Sequence, residues 1–232
     1  LCSLVYELLI ATTSAYFLGD SITQFSLTIG IYMAFMGVGS LVAQWINDQR
    51  ILESFIAFEL ILALIGGCCV PLLYFAYAQD LPVQLVSAIL TGIIGVLVGL
   101  EIPLLSRLMA KHYALKANLS NVLSIDYFGA LIATLAFPFI LLPWLGIFKT
   151  SLTFGLINLS IALSLLWYFY RTISMRYRQI LRLLFIIVFL SLCMLMWLSK
   201  PLNEQWNEAV FGDRVVHSQQ SQYQQLVVTR YK

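Results

Sequence analysis

The chain has 232 residues, of which 61% are hydrophobic and 10% charged, with a formal net charge of +2 and a mean hydropathy of +0.90. A soluble domain carries about 25% charged residues, so this composition excludes one and points to an integral membrane chain. The small positive charge, confined to loops, excludes a nucleic-acid surface. Cys2, Cys68, Cys69 and Cys193 all sit inside apolar runs. Adjacent cysteines such as Cys68 and Cys69 have poor geometry for bridging each other, so the four read as small packing residues.

A helix needs about 20 apolar residues to cross a hydrocarbon core, and on that criterion the sequence predicts an all-α membrane fold, a polytopic bundle of about seven transmembrane helices. The segments fall near 1–18, 24–46, 53–78, 82–106, 120–143, 147–170 and 180–199. The first opens at Leu1 without a basic leader, so it reads as the second part of a longer helix and not as a signal peptide. From Pro201 the apolar runs give way to "NEQWNEAVFGDRVVHSQQSQYQQLVVTRYK". Residues 1–200 are therefore expected to form the bundle, and 201–232 a linker and a β-hairpin-like start of a soluble domain. Val215 and Val216 open one short run and "YQQLVVTRY" a second, on either side of a polar cluster. Two strands alone are marginal in water, so this tail is expected to be the first piece of a larger domain.

Loop charges give the orientation. The loops after segments two, four and six carry Arg50; Arg107, Lys111 and Lys116; and Arg171, Arg176, Arg178 and Arg182. Those after one, three and five carry only Lys149. The positive-inside rule makes the first set cytoplasmic and, with seven spans, puts residues 201–232 on the opposite side.

Four acids lie within the apolar segments: Glu7, Glu59, Glu101 and Asp126. An intramembrane acid is costly to bury and marks a candidate functional site. At 1.5 Å per residue, Glu101 lies roughly 9 Å from Arg107, Asp126 a similar distance from Ser120, and Glu59 roughly 13 Å from Arg50. Counted down from Leu18 through a core of about 30 Å, Glu7 falls about 14 Å from the same boundary. All four are expected in one band, in the leaflet nearest the basic loops. Two readings follow: an intramembrane cation site, or acids paired with neighbouring hydroxyls, Arg107 or Lys111 that lock helix packing. Pro103 strengthens the case for Glu101, because it has no N–H to give the Gly99 carbonyl.

Gly95 and Gly99 form G-x-x-x-G, and Gly37, Gly39 and Ser40 a second small-residue face, both suited to close helix contact. Gly66 and Gly67 mark either a flexible point or another contact. Tyr74, Tyr77, Trp144 and Trp197 are placed as interface aromatics. His112 and His217 have no metal-ligand pattern around them, and no Walker loop, dinucleotide fingerprint or nucleophile elbow occurs. No metal site or resident cofactor is expected.

Six stretches, taken together and in order, carry a family resemblance: "LVYELL" (4–9), "YFLGDSITQFSLTIG" (16–30), "MGVGS" (36–40), "EIPLLSRL" (101–108), "DYFGALIATLAFP" (126–138) and "SQYQQLVVT" (221–229). The chain resembles the membrane-bound polyamine aminopropyltransferases, the spermidine synthase type with a multi-span N-terminal region. The resemblance implies a parent enzyme that moves an aminopropyl group from decarboxylated S-adenosylmethionine, as co-substrate, to putrescine or a related amine. It implies a soluble domain with a small N-terminal β-sheet and a Rossmann-like fold, whose catalytic acids would follow Lys232. Gln224 maps onto the glutamine that contacts the nucleoside product. The implied partners are a lipid bilayer and putrescine or spermidine, with homo-oligomerisation left open. The implied location is the cell (inner) membrane, with a cytoplasmic catalytic domain that the loop charges oppose. A fragment of a secondary transporter for a cationic or other small solute is the alternative, since acids near one leaflet and Gly/Pro-interrupted helices also mark such proteins. A purely structural membrane module is the third.

Overall fold

The computed structural model describes residues 2–110, 115–211, 214–220 and 225–230. Within them lie seven α-helices: α1 (Cys2–Leu18), α2 (Ser21–Val42), α3 (Ile51–Ala78), α4 (Val83–Met109), α5 (Leu115–Ala136), α6 (Leu142–Tyr168) and α7 (Met175–Phe211). These match the seven apolar segments in order. Five runs are long and apolar enough to cross a membrane by length and composition, and one of them spans residues 120–168 without interruption. A straight helix of that length would extend roughly 70 Å, more than twice a hydrocarbon core. The chain folds back instead. A π-helical turn at Phe137–Leu141 leads to Gly146, whose φ of 72° and ψ of 170° break the helix. The reversal falls where the sequence leaves a gap between its fifth and sixth segments. Helix α1, at 17 residues, is the short member.

Local chemistry sets the other boundaries. Gly19, at φ 78°, closes α1 by donating its N–H to the Ala15 carbonyl, a left-handed position that glycine adopts without penalty. Asp20 then caps α2: its carboxylate accepts from the Thr23 amide at 3.1 Å and the Thr23 hydroxyl at 2.6 Å. These bonds hold the Asp20 carboxyl below its usual pKa, the hydroxyl acting most strongly. Two short 3₁₀ turns, the second capped by Asn47, carry the chain from α2 into α3.

Helix α1 sits at the centre, packed against α2, α3, α4, α5 and α6. Val5, Tyr6, Leu9 and Ile10 are fully buried there. Around it the seams α2–α4 and α3–α6 are the most extensive, and both close on glycine. A Cβ at Gly39 would overlap the Val96 carbonyl, one at Gly99 the Met36 carbonyl, and one at Gly95 would lie 2.9 Å from the Tyr32 carbonyl. On the other seam, a Cβ at Gly155 would lie 2.8 Å from the Gly67 Cα. The close contact in α2 therefore runs through Gly39 and not through Gly37 or Ser40. Gly37 faces open space and Ser40 is exposed. Gly66 and Gly67 are contact points: Gly66 lies under the ring of Tyr6 and Gly67 against Leu192 and Gly155. Tyr74 corrects the interface assignment. It is 3% exposed and packs edge-on against Phe17, with centroids 4.9 Å apart. Trp144 and Trp197 are exposed at the surface. All four cysteines are free thiols, Cys2 and Cys69 buried.

Helix α7 continues through Pro201 to Phe211, so the compositional change at 201 produces no break in the backbone. Beyond it, β1 (Arg214–Gln220) and β2 (Gln225–Arg230) pair antiparallel, with Arg214 opposite Arg230 and an irregularity between Val215 and His217.

Candidate functional site

Three of the four acids that lie in the apolar runs are brought within electrostatic reach of one another. Glu101 on α4 interacts with Glu59 on α3 and Asp126 on α5. Glu59 and Glu7 are buried, at 7% and 8% exposure. Glu101 is half-buried, and Asp126 lies on the exposed face of α5. Glu7, on α1, joins the group through Tyr32 of α2, whose phenol is within reach of Glu7, Glu101 and Asp126 and has Ser3 in hydrogen-bonding position. Cys2, near the start of α1, also comes within electrostatic reach of Glu59 and Glu101.

Arg107, six residues from Glu101, is engaged elsewhere. Arg107 donates to the Ala43 and Ile46 carbonyls, each at 2.7 Å, and forms an ion pair with Asp48. Its fork is filled by the loop between α2 and α3, so it holds that loop and leaves Glu101 alone. Lys111 and His112 lie outside the described residues. No described side chain hydrogen-bonds to the carboxylates of Glu7, Glu59 or Glu101. Burying a carboxylate is tolerable only with a compensating partner or proton. The packing reading, which needed such partners, therefore lacks them for these three acids among the described residues.

Two residues absent from the sequence-based site complete this layer. Tyr6 is fully buried, its ring seated where Gly66 lacks a side chain. Its hydroxyl has no hydrogen-bond partner and lies within reach of Glu59 and Glu101. Tyr32, at 5% exposure, stands between α2 and α4. Neither stands out in the sequence. The signal that would have singled them out was spacing: Tyr6 adjoins Glu7, and Tyr32 follows Gln24 and Thr28 at four-residue intervals. Among the described residues no three His, Cys, Asp or Glu side chains are grouped so as to hold a metal ion. Gln224 lies outside the described residues.

No protein-family model matches the chain, and no solved structure matches it. Curated proteins do. The chain is similar to a polyamine aminopropyltransferase of Leptospira interrogans, 38% identical over the whole chain and 46% of that protein. It is 40% identical to polyamine aminopropyltransferase 2 of Ralstonia nicotianae over the whole chain and 46% of the relative. Polyamine aminopropyltransferase 2 of Aquifex aeolicus is 32% identical over 98% of the chain and 45% of its own length. From end to end, the chain is homologous to polyamine aminopropyltransferases. It spans about half the length of these relatives, and all the acids of the layer fall within the matched region.

Proposed function

We propose that this chain is the membrane-embedded region of a polyamine aminopropyltransferase of the spermidine synthase type. The observation that carries this reading is similarity over the whole chain, at 38–40% identity, to proteins so named. The complete protein transfers an aminopropyl group from decarboxylated S-adenosylmethionine to putrescine. The amine nitrogen forms a bond to the propyl carbon, the carbon–sulfur bond breaks, methylthioadenosine leaves, and the new secondary amine gives up a proton. Gln224, by resemblance, contacts the nucleoside. Residues 201–232 lead into the catalytic domain, which lies in the cytoplasm of a cell whose inner membrane holds the bundle.

The bundle does more than anchor. Glu7, Glu59, Glu101 and Asp126, with Tyr6 and Tyr32, form a site for the polyamine itself. Support comes from the convergence of the acids, from the commitment of Arg107 to the α2–α3 loop, and from the partnerless Tyr6 hydroxyl. An amine with two positive charges supplies the counter-charge that carboxylates in an apolar bundle need. The test is equilibrium binding of radiolabelled putrescine and spermidine to the purified protein in detergent, against a Glu101→Gln variant. Saturable binding that is lost in the variant is the expected result. Absence of saturable binding to the unaltered protein reduces the bundle to an anchor.

A further inference from the structure

The buried face of α2 is polar, although most of the residues on its remaining surface are apolar. Its buried residues are Gln24, Thr28, Tyr32 and Gly39. The first three recur every four residues and so line one stripe. Opposite them on α4 stand Ser87 and Thr91, both buried. The two stripes enclose a cavity of about 150 Å³, lined by Gln24, Thr28, Gln84, Ser87 and Thr91 together with three apolar side chains. Thr91 is 1% exposed, and its hydroxyl has no partner. A hydroxyl buried without a partner is destabilising, and the cavity it lines is where a ligand would satisfy it. Ser87 donates its own hydrogen to the Gln84 carbonyl at 2.9 Å, which leaves its oxygen lone pairs as acceptors.

This cavity is separate from the acid layer. Thr91 precedes Glu101 by ten residues, about 15 Å along α4, toward the bundle end away from Arg107. Gln24 lies in the first turn of α2, just beyond its Asp20 cap, and Gln84 in the first turn of α4, so the cavity opens at that end. Below it the stripe continues to Tyr32, about 6 Å further along α2 from Thr28. The Tyr32 phenol reaches Glu7, Glu101 and Asp126. The backbones of the two helices close on each other from the level of Tyr32, whose carbonyl faces Gly95, onward through Gly99 and Gly39, so only the Tyr32 side chain, and not the seam, leads on to the acids. The stripe thus ends on the acids.

We infer that the α2–α4 cavity is a vestibule for a primary alkylammonium ion, through which an amine enters the acid layer past Tyr32 from the face opposite the basic loops. The lining suits that ligand. Its side chains offer hydroxyl and carboxamide oxygens and no charge, so they solvate a cation without trapping it. A primary ammonium brings three donors to such acceptors. A volume of about 150 Å³ equals the share of roughly five waters, enough for an ammonium head and its leading methylenes. The inference rests on the acid-layer reading for the identity of the amine, and on the cavity alone for the route.

The test uses the full chain in liposomes, with its four native cysteines replaced by alanine and one cysteine introduced at a time, Thr91→Cys on α4 or Thr28→Cys on α2. Each thiol is treated with aminoethyl methanethiosulfonate, a primary ammonium, and with the anionic sulfonatoethyl reagent of similar size. Rates are normalised to those of a free thiol in solution. The expected result is at least tenfold preference for the ammonium reagent at both positions, with putrescine slowing the reaction. No reaction at either position, equal rates with both reagents, or no slowing by putrescine overturns the inference. Selective, putrescine-protected access with putrescine binding unaltered by Glu101→Gln refutes the acid layer and leaves the vestibule. Glu101-dependent binding without access refutes the vestibule alone.

Discussion

Two glycines on one helix, two residues apart, should respond to the same substitution with opposite sign. At Gly39 an added Cβ meets the carbonyl oxygen and carbon of Val96 and the Cα of Gly99; at Gly37 it meets nothing within 4 Å. The obstacles at Gly39 are backbone atoms, so no side chain can rotate aside and α2 must move off α4. Overpacking of that kind costs about 1–3 kcal/mol, with rigid obstacles at the upper end, and the gain in helix propensity from glycine to alanine returns about 1 kcal/mol. The net is a loss of about 2 kcal/mol for Gly39→Ala. With no overlap to offset the propensity term, Gly37→Ala should gain up to about 1 kcal/mol. Thermal unfolding of the purified protein in detergent, followed by exposure of buried Cys69, checks this. At roughly 2–4 °C per kcal/mol the two variants should be separated by about 6–12 °C. If Gly39→Ala melts with or above Gly37→Ala, the contact through Gly39 is not the tight point of the seam, and the closed end assigned to the vestibule goes with it.

Other substitutions probe the loop, the cap, the phenol and the orientation. Arg107→Ala should cost about 2 kcal/mol, because two carbonyl acceptors lose a charged donor at a site only 30% exposed; Arg107→Lys should recover only part, since one ammonium cannot span Ala43, Ile46 and Asp48, and melting curves rank the three proteins. Asp20→Ala should lower the melting temperature at pH 7. Because the Thr23 bonds depress the folded pKa of Asp20, this stabilisation is complete above the unfolded value of about 4, and it should fade as the pH drops through the lower folded value. Tyr6→Phe removes a hydroxyl with no partner, so melting should hold or improve by about 1 kcal/mol while putrescine affinity falls; unchanged affinity would make Tyr6 a packing residue. For orientation, a cysteine at Val228 should resist an impermeant maleimide in intact cells if the catalytic domain is cytoplasmic, and labelling there would support the loop-charge rule instead.

The apolar runs made the helices legible, because segment length against bilayer thickness is a one-dimensional property. The reversal at Gly146 was legible too, as a gap between two runs. What each helix faces was not. Gly37 and Gly39 are equivalent in sequence, and only the approach of Val96 and Gly99 separates them. Tyr74 sits near a helix end, where interface aromatics gather, yet Phe17 and Phe148 enclose it. Arg107 was the obvious neutraliser for Glu101, six residues away; its partners lie on the α2–α3 loop, at a sequence separation no local pattern reports. The expectation that the acids share one depth rests on counting residues along the apolar runs. Tyr6 and Tyr32 could not be added to them without knowing that α1 is central and that α2 runs beside α4.

The distribution of unsatisfied polar groups argues against an inert bundle. On α6 the buried hydroxyls are settled within their own helix: Thr150 donates to the Gly146 carbonyl at 2.6 Å and Ser151 to Phe148 at 2.9 Å. Such back-bonding is how a transmembrane helix carries serine and threonine at little cost. A module that only held an enzyme at the bilayer would use that device throughout. On the other side of the bundle Thr13 and Ser87 use it, but other buried hydroxyls do not. There Tyr6, Ser14 and Thr91 are buried with hydroxyls that have no partner, and Glu7 and Glu59 are buried as well. All five lie on α1, α3 and α4, around the seam that carries Gln24, Thr28 and Tyr32. Each unsatisfied group costs stability that packing alone would recover by an apolar substitution. Concentrated on one side, and connected from an open cavity to a layer of acids, they have the arrangement of a lined route whose occupant supplies the missing donors.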